Sequence, residues 1–363
     1  MVIKEIKTFR AAVPLHTPFK TALRTVTTAE TVVVKLVCDN GITGWGEAPP
    51  THVITGESLS SIEFSIHHVF KPLLLGKTLL YRERLFVALH KSMVGNSSAK
   101  AAIDMALFDC IAQITNFPLV NFLGGYKTKL ITDYTVSVNS PEQMAKDAIE
   151  YMNKGFSILK IKVGKDEIQK DIERIEKIRE QIGLEPVLRL DANQGWTPKE
   201  AVQAIKNMEE RGLNIEFVEQ PVNANDLTGL QYVTQHTNTP IMADEAVFTI
   251  NDAQQVLECR ACDLINIKLM KTGGIYQALK IVNLAEAYNV QCMVGSMIET
   301  KLGITAAAHF AASQPNVIAY DFDAPLMLKG DLVCGGIIYN QQEIHMGKGN
   351  GLGIKGIQHS FIV

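Results

Sequence analysis

Between residues 132 and 323 the chain repeats one pattern: a short apolar, often β-branched run that ends near a polar residue, followed by a longer segment. The runs are TDYTVSV, SILKIKV, PVLRLDA, IEFVEQP, PIMADE, DLINIKLM, QCMVGSM and VIAYDFD. The polar residues near the ends of the last seven are Lys162, Asp191, Glu219, Asp244, Lys268, Ser296 and Asp321, separated by 29, 28, 25, 24, 28 and 25 residues. That interval holds one strand, one helix and two loops. Each run except the last precedes a segment of helical period, which predicts an α/β fold with a modified (β/α)8-type, TIM-like barrel rather than an open sheet. The polar residues then fall at one height, around the C-terminal mouth where barrel enzymes keep their chemistry.

The rest of the chain reads as an appendage to that barrel. ETVVVKLVCDNGITGWGEAPP, residues 30 to 50, has the alternation and the Asp-Asn-Gly turn of a β-hairpin. Residues 58 to 123 are helical in period and stop at NFPLVNFLGG. The expected organisation is an α+β capping domain over 1–125, a barrel over 126–328, and a return of 329–363 to the capping domain. In that return GKGNGLGIKG neither follows a barrel strand nor opens a helix, so it reads as a loop rather than a dinucleotide site. At 363 residues and 47% hydrophobic the chain can bury a large core. Its 35 basic and 38 acidic residues are spread without blocks, which predicts neither nucleic acid nor membrane as a partner. MVIKEIKTFRAAVPL alternates like a strand and lacks the apolar core of a signal peptide. With six cysteines, too few for a disulfide scaffold, a cytoplasmic location is the simplest expectation.

Asp191, Glu219 and Asp244 end three consecutive strands, so they are neighbours around the mouth and can share one oxygen-loving ion. Mg²⁺ accepts such a set and leaves positions for water or a substrate carboxylate. Lys160 and Lys162, at i and i+2 of one strand, point into the same space. One ammonium is expected to depress the other's pKa from near 10.4 toward the 7 to 8 of a neutral-pH base, with Lys162 the base and Lys160 its electrostatic neighbour. Lys268 comes from the opposite wall, four strands away. Two lysines facing each other across a substrate can take a proton from one face of a carbon and return one to the other. In VIAYDFDAPLML, Asp321 and Asp323 share a strand face about 7 Å apart, where repulsion costs roughly 2 kcal/mol at an effective dielectric near 20. They ask for a cation.

The ordered motifs LKIKV, RLDANQGW, VEQP, MADE and INIKLMKTGG resemble the muconate-lactonizing subgroup of the enolase superfamily over almost the whole chain. The resemblance implies an enolase-like fold, one Mg²⁺ per subunit on Asp191, Glu219 and Asp244, and removal of a proton α to a carboxylate. Metal and Lys160 would hold the developing charge. Asp321 and Asp323 resemble the Asp-x-Asp signature of dipeptide epimerases, which holds the substrate's α-ammonium. FKTALRTV and VGSMIETKLGITAAAHFAAS are similar to the members acting on L-Ala-D/L-Glu, dipeptides of murein breakdown. TPFKTALRTVTT, residues 17 to 28, fits a mobile loop over the mouth, with Arg24 reading a carboxylate side chain bidentately. By the same resemblance Thr135, Ser296 and Ile298 line the substrate, Ile54 lies near its side chain, Lys162 acts on the D epimer and Lys268 on the L epimer, and assembly into a homo-oligomer is common.

Three alternatives follow from the same residues. An o-succinylbenzoate synthase or cycloisomerase of this scaffold has no ammonium to place, which Asp321 and Asp323 argue against. A binding barrel without turnover is disfavoured by the opposed lysines. A dipeptide epimerase for hydrophobic or cationic peptides follows if Arg24 does not reach the site. Cys259 and Cys262 have no second pair to make a zinc site, and the histidines lack metalloprotease spacing. The KTGG after Lys268 reads as a strand-to-helix turn rather than an anion nest.

Overall fold

The computed structural model describes residues 1–363. Strands β1 (Ile3–Lys20), β2 (Thr25–Cys38) and β3 (Thr43–Ala48) form an antiparallel sheet in that order. Helices α1 (Leu59–Phe64), α2 (Lys71–Leu74), α3 (Arg82–Lys91), α4 (Ser97–Ile114) and α5 (Leu119–Phe122) follow. α4 is buried from Ser98 to Ala112. A helix buried on every face needs neighbours all round, and its small residues let β3 come close: a Cβ on Gly44 would lie 2.1 Å from the Ala106 carbonyl oxygen, and one on Gly46 2.0 Å from that of Ala102. The alternating glycines of TGWGEA are therefore a packing requirement.

After β4 (Lys129–Ile131) come the eight runs read from the sequence: β5 (Tyr134–Val136), β6 (Ile158–Lys162), β7 (Val187–Asp191), β8 (Ile215–Glu219), β9 (Ile241–Ala243), β10 (Leu264–Ile267), β11 (Gln291–Val294) and β12 (Val317–Tyr320). Each pairs in parallel with the next, giving one curled sheet. Between them lie α6 (Pro141–Asn153), α7 (Ile168–Ile182), α8 (Pro198–Glu210), α9 (Leu227–His236), α10 (Ile250–Glu258), α11 (Leu269–Thr272), α12 (Ile275–Ala287) and α13 (Lys301–Ser313). Several start where the sequence supplies a cap: the Ser140, Thr197 and Thr249 side chains accept backbone N–H groups of the first turn, each worth about 1 kcal/mol.

No strand ladder joins β12 to β5; one backbone bond, from Asp133 N–H to the Tyr320 carbonyl at 3.3 Å, and side chains close that seam. Phe322 N–H donates to Thr132 Oγ1 at 2.9 Å, and Thr135 N–H to Asp323 Oδ2 at 2.6 Å. The seam thus brings the Asp321-Phe322-Asp323 segment beside the first barrel strand. The C-terminal stretch divides between two tasks. β13 (Val333–Gly335) pairs with β16 (Ile354–Ile357), Leu352 N–H donates to Asp109 of α4 at 2.8 Å, and Val363 N–H reaches the Arg10 carbonyl at 3.1 Å. β14 (Ile338–Asn340) and β15 (Glu343–His345) instead extend β4, and Gln342 accepts the Ser157 N–H at 2.9 Å ahead of β6. That hairpin covers the barrel end opposite the mouth, a role the expected return to the N-terminal region did not include.

Candidate active site

Strand register sets the floor of the site. Lys162 lies opposite Asp191, and Asp191 opposite Glu219; Asp244 follows the last residue of β9. All are buried. Lys160 Nζ sits among three carboxylates, 2.7 Å from Glu219 Oε2, 2.8 Å from Asp321 Oδ2 and 3.1 Å from Asp191 Oδ2. Lys162 Nζ is 2.6 Å from Asp191 Oδ2, and Lys268 Nζ is 2.6 Å from Asp244 Oδ2. Lys271 reaches Asp244 Oδ1 at 2.6 Å and Asn266 donates to Glu219 Oε1 at 2.8 Å.

Carboxylates govern the charge of Lys160 and Lys268. Burial alone would lower Lys160, but Asp321, Glu219 and Asp191 outweigh it and raise it well above the usual range. Lys268 is likewise raised against burial by Asp244 and Glu219. Lys160 therefore spends its charge on carboxylates across the barrel. The acids answer in kind: against burial, Lys162 and Lys160 hold Asp191 down at about 2, and Lys268 and Lys271 hold Asp244 lower still. Glu219 is pushed up to about 8 by burial and by Asp191.

The three strand-end acids do not close on a common point in this geometry, because the lysines lie among them. Their chemistry nevertheless suits a hard divalent cation. All donors are carboxylate oxygens, and two of these oxygens, Glu219 Oε2 and Asp244 Oδ1, are buried without a directed hydrogen bond although an ammonium lies within 2.7 and 2.6 Å.

Above this floor is a small cavity. Its lining brings together residues scattered along the chain: Lys162 and Lys268 from opposite walls, Asp321 and Asp323 from the seam, and Thr135, Ser296 and Ile298 beside them. Arg24 and Ile54 reach it from the N-terminal region. Lys160, Asp191, Glu219 and Asp244 lie beneath. Asp321 is held below the usual carboxylate range by Lys160 against the effect of burial. Asp323, whose recorded donor is the Thr135 N–H, is pushed up to about 7 by burial and by Asp321. The cation that the sequence asks for is thus present for Asp321 and lacking for Asp323.

The segment 17 to 28, expected as a mobile loop over the mouth, is largely paired strand. Phe19 pairs with Val26 and Lys20 with Thr25, so β1 and β2 continue almost to the tip, where Thr21 N–H donates to the Arg24 carbonyl at 3.0 Å. β-Branched Thr25, Val26, Thr27 and Thr28 favour that extended pairing. The tip is tied to β5 and its following loop through Lys20 N–H to Ser137 Oγ, 3.1 Å. Arg24 is partly buried, its pKa is lowered by burial alone, and it has no acidic partner. Among the lining groups that the sequence did not single out are Phe19, Asn193, Glu245 and Met297. Asn193, in RLDANQGW, has φ 42° and the next residue, Gln194, φ 68°, a left-handed pair uncommon for non-glycine residues. Glu245, next to Asp244 in MADE, keeps a buried oxygen without a partner.

Two family descriptions match the chain: "Mandelate racemase / muconate lactonizing enzyme, N-terminal domain" over residues 3–124 and "Enolase C-terminal domain-like" over residues 143–357. The chain is 61% identical to the L-Ala-D/L-Glu epimerase of Bacillus subtilis over 98% of its own length and 97% of that protein's. The structure of a substrate-liganded complex of the B. subtilis enzyme superimposes with a TM-score of 0.98, covering 99% of this chain and 100% of that one at 61% identity. The dipeptide epimerase of Enterococcus faecalis, complexed with Mg and L-Leu-L-Tyr, gives 0.95 at 42% identity over 98% and 100% of the two chains.

Proposed function

The chain belongs to the mandelate racemase/muconate lactonizing branch of the enolase superfamily, and from that premise we propose that it is a Mg²⁺-dependent dipeptide epimerase that inverts the α-carbon of the C-terminal residue, with L-Ala-D/L-Glu as its substrate. The observation that carries the reading is the meeting of three kinds of group on one cavity: opposed Lys162 and Lys268, the Asp321/Asp323 pair, and the unpaired Arg24.

Each group has one task. Asp323, short of a cation, and Asp321 receive the substrate's α-ammonium at the seam, which fixes the amino end. Arg24 receives the side-chain carboxylate of the second residue from above. The α-carbon of that residue then lies between the two lysine walls. Asp191, Glu219 and Asp244 would hold the divalent cation, which when bound supplies Lewis-acid stabilisation of negative charge on the adjacent carboxylate. Lys160 Nζ adds a fixed positive charge on the same side. Lys162 takes the α-proton from the D epimer while Lys268 delivers one to the opposite face, and the roles exchange for the L epimer. Lys162 rests on Asp191 and Lys268 on Asp244. Such a dipeptide places the protein in the recycling or use of murein peptides, in the cytoplasm.

The test is proton NMR of L-Ala-D-Glu and L-Ala-L-Glu in D₂O with the protein and Mg²⁺, with an EDTA control. Metal-dependent loss of the Glu α-proton signal together with appearance of the other epimer is the expected result. Exchange with hydrophobic or cationic dipeptides and not with these two would move the specificity away from Arg24. No exchange with any dipeptide would remove the epimerase reading.

A further inference from the structure

Two buried carboxyl groups outside the cavity have no part in the mechanism above. Glu47 of β3 reaches across to the start of α13: its Oε1 accepts the N–H groups of Thr300 and Gly303, each at 2.9 Å, and its Oε2 accepts the Thr300 hydroxyl at 2.7 Å. Glu299 Oε1 accepts the Met297 N–H at 2.9 Å, while its Oε2 is buried with no hydrogen-bond partner. Glu47 is 0% and Glu299 2% exposed. Both turn toward one bare face of α13, where a Cβ on Gly303 would lie 2.3 Å from Glu299 Oε2 and 2.6 Å from Glu47 Oε1. Glycine inside a helix costs about 1 kcal/mol against alanine; here it makes room for the two carboxyls. The segment just before Glu299, Ser296 to Ile298, which Glu299 holds through the Met297 N–H, lines the cavity.

Two adjacent carboxyls in so dry a place cannot both be charged. Glu47 receives three donors and is the better placed to hold the charge, whereas a proton on Glu299 Oε2 would give that orphaned atom a use. We propose that Glu47 and Glu299 share one proton and act as positioning residues, clamping the cavity-lining segment Ser296–Ile298 between the N-terminal sheet and α13. Burial and the Glu47 charge push Glu299 up to about 8, and burial raises Glu47 as well. The charged groups acting on Glu299 are Glu47 from β3 and Lys268 after β10, the latter pulling downward; Thr31 of β2 and Thr300 are the uncharged contacts of Glu47.

The shared proton is tested without substrate, by melting wild type and Glu299→Gln between pH 5.5 and 9.5. A carboxyl raised from 4.5 to about 8 on folding keeps a proton that the unfolded chain releases. Its contribution to stability therefore falls as pH rises through that window and is flat above it. Gln donates at every pH, so the Tm of Glu299→Gln relative to wild type should climb by several degrees, roughly 3 to 6, from pH 6 to pH 8.5. Parallel melting curves overturn the shared proton. The clamp rests on the dipeptide reading and is tested by kinetics. Glu299→Ala and Glu47→Gln should raise KM about fivefold or more with kcat within about twofold, and Glu299→Gln should restore KM. An unchanged KM in both overturns the clamp. Absence of turnover in wild type would count against the dipeptide reading alone, since the melting comparison still decides the proton.

Discussion

On the floor of the cavity every ammonium has a carboxylate: Lys160 has three, Lys162 rests on Asp191, and Lys268 and Lys271 share Asp244. On the roof, Arg24 has none. The floor hangs on strand ends whose register is fixed by parallel pairing, and the roof on a hairpin tip held at few points. Chemistry needs groups held in fixed directions, and reading one substrate among many needs a group whose partner is the substrate itself. The division suggests that the floor sets whether any dipeptide turns over and the roof sets which.

Breaking the floor should have the largest effect. Lys162→Ala and Lys268→Ala should each lower the epimerisation kcat by about a thousandfold or more, at the upper end of what general acid–base catalysis supplies. The two differ in what survives: in D₂O each variant should still exchange the α-proton of the epimer that faces the remaining lysine. Exchange of neither epimer by either variant would argue against two independent bases. Chelation should act alike on every peptide, abolishing epimerisation with EDTA and restoring it with Mg²⁺; metal-independent turnover would contradict the role given to Asp191, Glu219 and Asp244.

The roof should respond selectively. Arg24→Ala is expected to reduce kcat/KM for L-Ala-D/L-Glu by about 2 kcal/mol, roughly 30-fold, the value of a charged hydrogen bond. It should leave a dipeptide ending in an uncharged residue within about twofold. An equal loss on both peptides would make the hairpin a general lid.

The same division governs how much was legible in the sequence. The floor could be read because a strand-helix unit has a nearly constant length, so Asp191, Glu219 and Asp244 announce their common height by spacing alone. Periodicity also gave the eight strands. What spacing cannot carry is the pairing of side chains across the barrel. Lys160 and Lys162 look like a repelling pair along one strand, yet Lys160 is held by Asp321, distant by 161 residues. Nor does local pattern announce that Glu47 meets Thr300, separated by 253 residues. At the roof, Arg24 was found by resemblance, but the hairpin that presents it reads as a loop, because Pro18 and the register shift between Pro14 and Phe19 interrupt the alternation. The β14–β15 hairpin was missed for a related reason: three-residue strands carry almost no periodic signal.

The smallest expected effect lies at the seam, where floor and roof meet. Asp321 is held ionised by Lys160, whereas Asp323, with burial and Asp321 pushing it up to about 7, has no ammonium of its own. Below that pH Asp323 takes up a proton, and its attraction for the substrate's α-ammonium falls. Above about 8 the dipeptide's own amino group loses its charge. KM should therefore be lowest between these limits and rise by roughly threefold to tenfold per pH unit at most on the acid side. Asp323→Asn should raise KM at neutral pH and remove the acid rise, because the amide does not titrate, while the alkaline rise, which belongs to the peptide, should persist. If the acid limb survives in Asp323→Asn, the titrating group lies elsewhere on the floor, and the ammonium is held by Asp321 alone.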